Sequence, residues 1–147
     1  MSKKLAILFT FLLFLGCSEN LIFDDTFPKD LTTEWALVEI RIEEDVFLEE
    51  SREDTELIKI TFQDDGMFKG ETTRNAFGGK YTISSRDLLL FRNLITTEVL
   101  ETTFGMQFYR VFNRAYDGQD YPFEFSFGEG ELFLKSLNGD EMLFERN

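Results

Sequence analysis

The chain has 147 residues and a net charge of −13, from 28 acidic against 15 basic side chains. It holds no histidine and one cysteine, which excludes an internal disulfide, zinc sites of the usual kind and Ser-His or Cys-His catalytic pairs. So acidic a surface repels phosphate backbones and anionic headgroups, and nucleic acid is set aside as a partner.

The chain opens Met1-Ser2-Lys3-Lys4, runs apolar from Leu5 to Leu15, then reads Gly16-Cys17-Ser18. A basic start, a short apolar run and a small residue describe a secretory signal peptide over residues 1–16. A spanning helix needs about 20 apolar residues, more than this run supplies. Phe14-Leu15-Gly16-Cys17 resembles the lipobox of bacterial lipoproteins, in which the cysteine is acylated and becomes the new N-terminus. Cys17 is therefore the expected lipidation site. The alternative is an ordinary signal peptide that happens to contain a cysteine. Beyond residue 16, 131 residues remain, and loss of Lys3 and Lys4 moves the charge from −13 to −15. That length suits one domain with its own core. Residues 17–30 read as a tether, although Leu21, Ile22, Phe23 and Phe27 could instead dock on the domain, which spans 31–147.

Ala36, Val38, Ile40 and Ile42 alternate with polar neighbours over Glu34 to Ile42, the pattern of a half-buried strand with Trp35 near its start. Glu43 to Asp54 is dense in acids around Val46, Phe47 and Leu48. The donor spacing and glycine of an EF-hand loop are absent, so this stretch reads as a solvated acidic loop. Leu57 to Phe62 is the next strand, Gln63-Asp64-Asp65-Gly66 a hairpin turn, and Met67 to Thr72 the returning strand. The residues Arg74 to Tyr81 read as the loop around which the domain turns, pinned by Phe77 and Tyr81. Tyr81 to Ile83 and Leu88 to Phe91 pair across Ser84 to Asp87. Leu88 to Phe91 is apolar on both faces and predicts a strand covered on each side.

The period then changes. Leu100, Phe104, Phe108, Val111, Phe112 and Ala115 recur at spacings of three and four, which predicts a helix over Glu98 to Ala115. Thr96 or Thr97 is its expected N-cap, with Glu98 and Glu101 at the positive end of the helix dipole. Gly105 inside it implies a close neighbour. Three strands follow, Tyr121 to Phe127, Glu131 to Ser136 and Glu141 to Arg146. They turn at Gly128-Glu129-Gly130 and at Asn138-Gly139. Pro122 places its strand at an edge or a strand start. The expected fold is mainly β: a small antiparallel barrel or strongly curved sheet of about eight strands with one capping helix.

The order of Thr33-Glu34-Trp35-Ala36-Leu37, Phe62, Asp65-Gly66, Asn75-x-Phe77-x-Gly79-x-Tyr81, Leu132-x-Leu134 and Leu143-Phe144 resembles the META domain, the HslJ-like group of bacterial envelope lipoproteins. The resemblance covers about Leu31 to Arg146. It implies a small barrel, secretion, lipid anchoring, association with envelope stress and no catalytic residues. Members often carry a cysteine before the motif's asparagine and another at the helix start. Arg74 stands at the first place here, and no cysteine occurs near Val99.

Asn75, Phe77, Gly79 and Tyr81 are weighed mainly as structure. Asn75 satisfies loop backbone groups, Gly79 takes a backbone angle that a Cβ would resist, and the two rings fill the barrel end; the other reading makes this loop a recognition patch. The expected protein is a monomeric, non-enzymatic lipoprotein with no cofactor or metal. It sits in the cell envelope, at the outer membrane because no Asp follows Cys17, and contacts another envelope protein. The second expectation is a lipocalin-like carrier of a small apolar ligand, which the many phenylalanines allow.

Overall fold

The computed structural model describes residues 28, 29, 31–48 and 57–147. Nine strands and one helix follow in order: β1 (Glu34–Ile42), β2 (Asp45–Leu48), β3 (Lys59–Phe62), β4 (Met67–Glu71), β5 (Ala76–Ile83), β6 (Leu88–Thr96), α1 (Thr103–Ala115), β7 (Tyr121–Gly128), β8 (Glu131–Ser136) and β9 (Glu141–Arg146). Neighbouring strands pair antiparallel in the order β2-β1-β3-β4-β5-β6-β7-β8-β9, and β1 also pairs with β9. That last pairing closes eight strands into a barrel, with β2 as an extra strand outside the ring. One edge of β1 serves two partners. Glu34–Ala36 lies against β3, and Glu39–Ile42 against β2.

Alternating strand direction sends the connections to two ends. The hairpins at 63–66, 84–87 and 128–130 close one end. The β1–β2, β4–β5 and β8–β9 turns and both connections of α1 lie at the other. Inward positions are aromatic. Trp35, Phe62, Phe68, Phe91, Phe123 and Phe144 are buried, with ring centroids 5.0 Å apart for Phe62 and Tyr81 and for Phe68 and Phe91. The helix packs Phe108 on Phe77 at 4.9 Å and Phe112 on Phe91 at 5.3 Å. These edge-on and tilted arrangements suit the ring quadrupole and add to the area they bury. Trp35 donates its indole N–H to the Leu31 carbonyl at 3.0 Å, and Leu31 is buried too.

Outward positions carry charge, among them Glu39, Arg41, Lys69, Lys80 and Glu124. This is the reverse of a transmembrane β-barrel, whose lipid face is apolar. No helix among the described residues is long and apolar enough to cross a membrane.

Several boundaries differ from the sequence reading. The acidic stretch after Ile42 is not all loop, because Asp45–Leu48 forms β2 against β1; residues 49–54 lie outside the described set. Arg74 to Tyr81 is not a loop either. β5 starts at Ala76, so Phe77, Gly79 and Tyr81 belong to a strand and share its inward face. The turn falls earlier, between Thr72 and Asn75. Both faces of Leu88 to Phe91 are not equally covered, since Leu89 and Phe91 are buried while Leu88 and Leu90 are half-buried on the outside. The helix begins at Thr103, and Thr102 rather than Thr96 or Thr97 caps it, accepting from the Gly105 N–H at 3.1 Å. Glu98, Leu100 and Glu101 therefore precede the helix, and Leu100 is 78% exposed. The apolar period continues smoothly into Leu100. What stops the helix is a set of contacts with Asn75, which lies 24 residues before Val99.

Candidate functional site

The motif Asn75-x-Phe77-x-Gly79-x-Tyr81 sits where the β4–β5 turn meets the β6–α1 connection. Thr72 and Asn75 close the turn on each other. The Asn75 N–H donates to Thr72 Oγ1 at 2.9 Å, and the Thr72 N–H donates to the Asn75 carbonyl at 2.7 Å. The Asn75 side chain then reaches across. Its Nδ2 donates to the Val99 carbonyl at 2.8 Å, while its Oδ1 accepts from the Val99 N–H at 2.8 Å and from Thr97 Oγ1 at 3.0 Å. A primary amide offers both a donor and an acceptor, so it can bind the N–H and the carbonyl of one residue together. Asn75 is 5% exposed, so these groups have little access to water, and losing their partner would cost about 1–3 kcal/mol each.

Glu101 extends the cluster. Its Oε1 accepts from Asn75 Nδ2 at 2.7 Å and also from Thr72 Oγ1, and its Oε2 accepts from the Thr102 N–H at 3.1 Å. A Cβ on Gly105 would collide with this carboxylate, which is the close neighbour that the helix glycine implied. Arg74 donates to the Leu100 carbonyl at 3.0 Å. Oε2 thus holds the Thr102 backbone, while Oε1 holds the Thr72 and Asn75 side chains. Among the described residues, no group of three or more Cys, Asp or Glu side chains could hold a metal ion. The arrangement positions a loop and a helix start.

The other motif residues face the core. Phe77 is buried against Phe108, and its ring lies over Gly70 on the neighbouring strand, where a Cβ would overlap both the ring and the Lys59 carbonyl. Gly79 does not hold the left-handed angle expected of it, for its φ is not positive. The reason for glycine there is distance. β6 carries an extra residue opposite Gly79, between Arg92 and Ile95, and a Cβ would stand 2.5 Å from the Arg92 carbonyl and 2.9 Å from that of Asn93. Tyr81 donates its hydroxyl to the Gln63 carbonyl at 2.6 Å. Burial, with Asp65 and Asp64 nearby, pushes its pKa up to about 12.

Sequence reasoning found Asn75, gave Thr97 and Glu101 other roles at the helix start, and missed Thr72 and Gly70. Their partners lie on other strands or loops, and only the Thr-rich approach to the helix hinted at them. Two further charged pairs tie α1 to the β8–β9 turn and β6 to the residue before β7. Arg114 donates to the buried Asp140 at 2.7 Å, and Arg92 grips Asp120 with two bonds of 2.9 Å. Cys17, with the leader and residues 17–27 of the tether, lies outside the described residues.

No protein-family model matches this chain, and no curated protein matches it. Solved structures do. A protein from Burkholderia xenovorans, determined by NMR, is similar over 90% of this chain and 96% of its own, with a TM-score of 0.60 at 20% identity. A crystal structure of a DUF4847 family protein from Bacteroides vulgatus is similar over 80% of this chain and 94% of its own, with a TM-score of 0.52 at 14% identity. At such identities the likeness is one of fold.

Proposed function

We propose that the protein is a non-enzymatic lipoprotein of the bacterial cell envelope, held by an acylated Cys17, whose META-like barrel acts as an interaction module. The observation that carries this reading is Cys17 itself, the one cysteine of the chain, placed directly after Gly16 at the end of an apolar run of signal-peptide length. One acyl chain holds a protein only marginally, at about 0.8 kcal/mol per buried CH₂, and the diacylglyceryl group of such lipoproteins supplies more than one. The engagement of Asn75 and Glu101 in backbone support favours a module without catalysis. The META-like reading rests on the motif order around Trp35 and Asn75.

The test is Cys17→Ser in a bacterial host, followed by membrane fractionation and intact-mass measurement. Wild type is expected in the membrane fraction with added lipid mass, and the variant outside it. A variant that stays in the membrane, or a wild type without lipid mass, defeats the reading.

The second reading is a carrier of a small apolar ligand, favoured by Phe125 and Phe127, which stack 6.1 Å apart and half-exposed near the hairpin end. Against it stands the interior, since an eight-stranded barrel has room for about its own side chains and the buried rings occupy that room. Saturable micromolar binding of a fluorescent fatty acid would favour the carrier.

A further inference from the structure

The turn between β8 and β9 holds the one Asn-Gly pair of the chain, Asn138-Gly139. Leu137, Asn138 and Gly139 are exposed. The Gly139 N–H donates to the Ser136 carbonyl at 2.9 Å, and Gly139 takes a left-handed φ of 91°. A three-residue hairpin loop with glycine at the left-handed place is built this way. The Asn138 side chain leaves the turn and crosses to the helix, where its Nδ2 donates to the Arg114 carbonyl. That carbonyl lies in the last turn of α1, beyond the reach of any helical N–H. Beside it, Arg114 Nε donates to Asp140 Oδ2 at 2.7 Å. Asp140 is 1% exposed, and its Oδ1 has no hydrogen-bond partner among the described residues. Asn138 and Asp140 thus fasten the turn to the end of α1.

An asparagine followed by glycine can modify itself. The glycine nitrogen, once it has lost its proton to solvent base, attacks the asparagine Cγ. A new C–N bond closes a succinimide ring, the Cγ–Nδ2 bond breaks, and ammonia leaves with a proton from water. A second water opens the ring at either carbonyl, giving aspartate or isoaspartate. Glycine has no side chain to obstruct the approach.

In the folded turn both ends of this reaction are held. Losing its proton would cost the Gly139 nitrogen its bond to Ser136, and the leaving amide is tied to Arg114. We infer that Asn138 is a deamidation site guarded by the docking of α1 on this turn, and that its conversion undoes that docking. The product cannot replace what is lost. A carboxylate at position 138 offers acceptors only, and it would face a carbonyl oxygen at the negative end of the helix dipole, two residues from the buried Asp140. Isoaspartate also lengthens the backbone of the turn by one carbon. The modified chain therefore keeps this end of the helix loosened.

The experiment follows the full chain by intact mass and peptide mapping, at neutral and mildly alkaline pH. Asn138 is expected to convert in guanidinium chloride, and about tenfold more slowly or less in buffer, because the folded reaction waits on local opening of the turn. Asn93 and Asn113, which are not followed by glycine, serve as slow references in the same digest. Asn138→Asp reproduces the charge of the product, and Asn138→Ala removes the hydrogen bond alone. The Asp variant should have the lower urea midpoint of the two and faster hydrogen exchange at Arg114 and Ala115. Equal rates in buffer and in denaturant would show that the turn guards nothing. No conversion at Asn138 in denaturant would remove the site, and an Asp variant as stable as the Ala variant would remove the consequence. Any of these three results overturns the proposal. None of the readouts depends on the Cys17 anchor, so the two proposals fail separately.

Discussion

The two ends of the barrel are closed by different means. At the hairpin end, the turn angles are set by adjacent residues, and the long-range side-chain bond from Tyr81 reaches a single carbonyl, that of Gln63. Gly66 and Gly130 take left-handed angles, φ 79° and 91°, and the strands they join are neighbours in sequence. At the helix end, the β4–β5 turn is closed onto a loop more than twenty residues away by Asn75, Thr97 and Glu101. A local turn fails locally when its residue is changed. A side-chain clamp fails at both of the segments that it joins, so damage at the helix end should spread further than damage at the hairpin end.

The largest test of that contrast is Phe77→Ala. It removes a buried ring that touches Phe108 of the helix and covers Gly70, and should lower stability by about 3–5 kcal/mol in urea unfolding. Gly79→Ala, one turn of the pleat further along the same strand, should cost about 1–3 kcal/mol, because two carbonyl oxygens of β6 must move. Wild-type midpoints for both would remove β5 from the centre of the fold.

Asn75→Ala sharpens the comparison directly. It should cost roughly 2 kcal/mol, since the Val99 N–H and carbonyl both lose their partner. Hydrogen exchange should quicken at Val99 and in the first turn of α1, well away from the substitution in sequence. Gly130→Ala, at the other end, should cost about 1–2 kcal/mol for its left-handed angle, with faster exchange confined to the β7–β8 hairpin. If the two variants loosened equally wide regions, the contrast between the ends would be lost.

The smallest effect expected is a pH dependence at Tyr81. Its folded pKa of about 12 exceeds the ordinary value of 10, so the unfolded chain releases the proton first. Its contribution is complete below pH 10 and is lost as pH rises towards 12. Tyr81→Phe should flatten alkaline unfolding over that window, while Tyr121, half-buried and shifted the same way, leaves a residual slope. An unchanged alkaline profile would show that Tyr81 is more open to water than its position at the Gln63 carbonyl implies.

The hairpin end was legible in the sequence because its signals are local. Asp65-Gly66 and Gly128-Glu129-Gly130 marked turns that the structure contains, and the three- and four-residue spacing of Phe108, Val111, Phe112 and Ala115 marked the buried face of α1. The helix end was not legible in the same way. Leu100 continues the apolar period and Thr97 resembles a cap, yet Asn75 holds Val99 off the helix and the chain starts turning only at Thr102. β2 was hidden for a related reason. Its exposed Val46 and Leu48 lie among acids, and only the free edge of β1 makes them a strand.

Composition and period alone thus settle that this chain folds as a mainly β domain with one helix, lacks histidine chemistry and carries its one thiol at Cys17. They act through each residue and its near neighbours, which is the range over which turn angles and side-chain alternation operate. Barrel closure through β1 and β9 and the clamp from Asn75 to Val99 are decided by register. Register pairs residues from distant parts of the chain, so a net charge or a helical period read along the sequence cannot contain it.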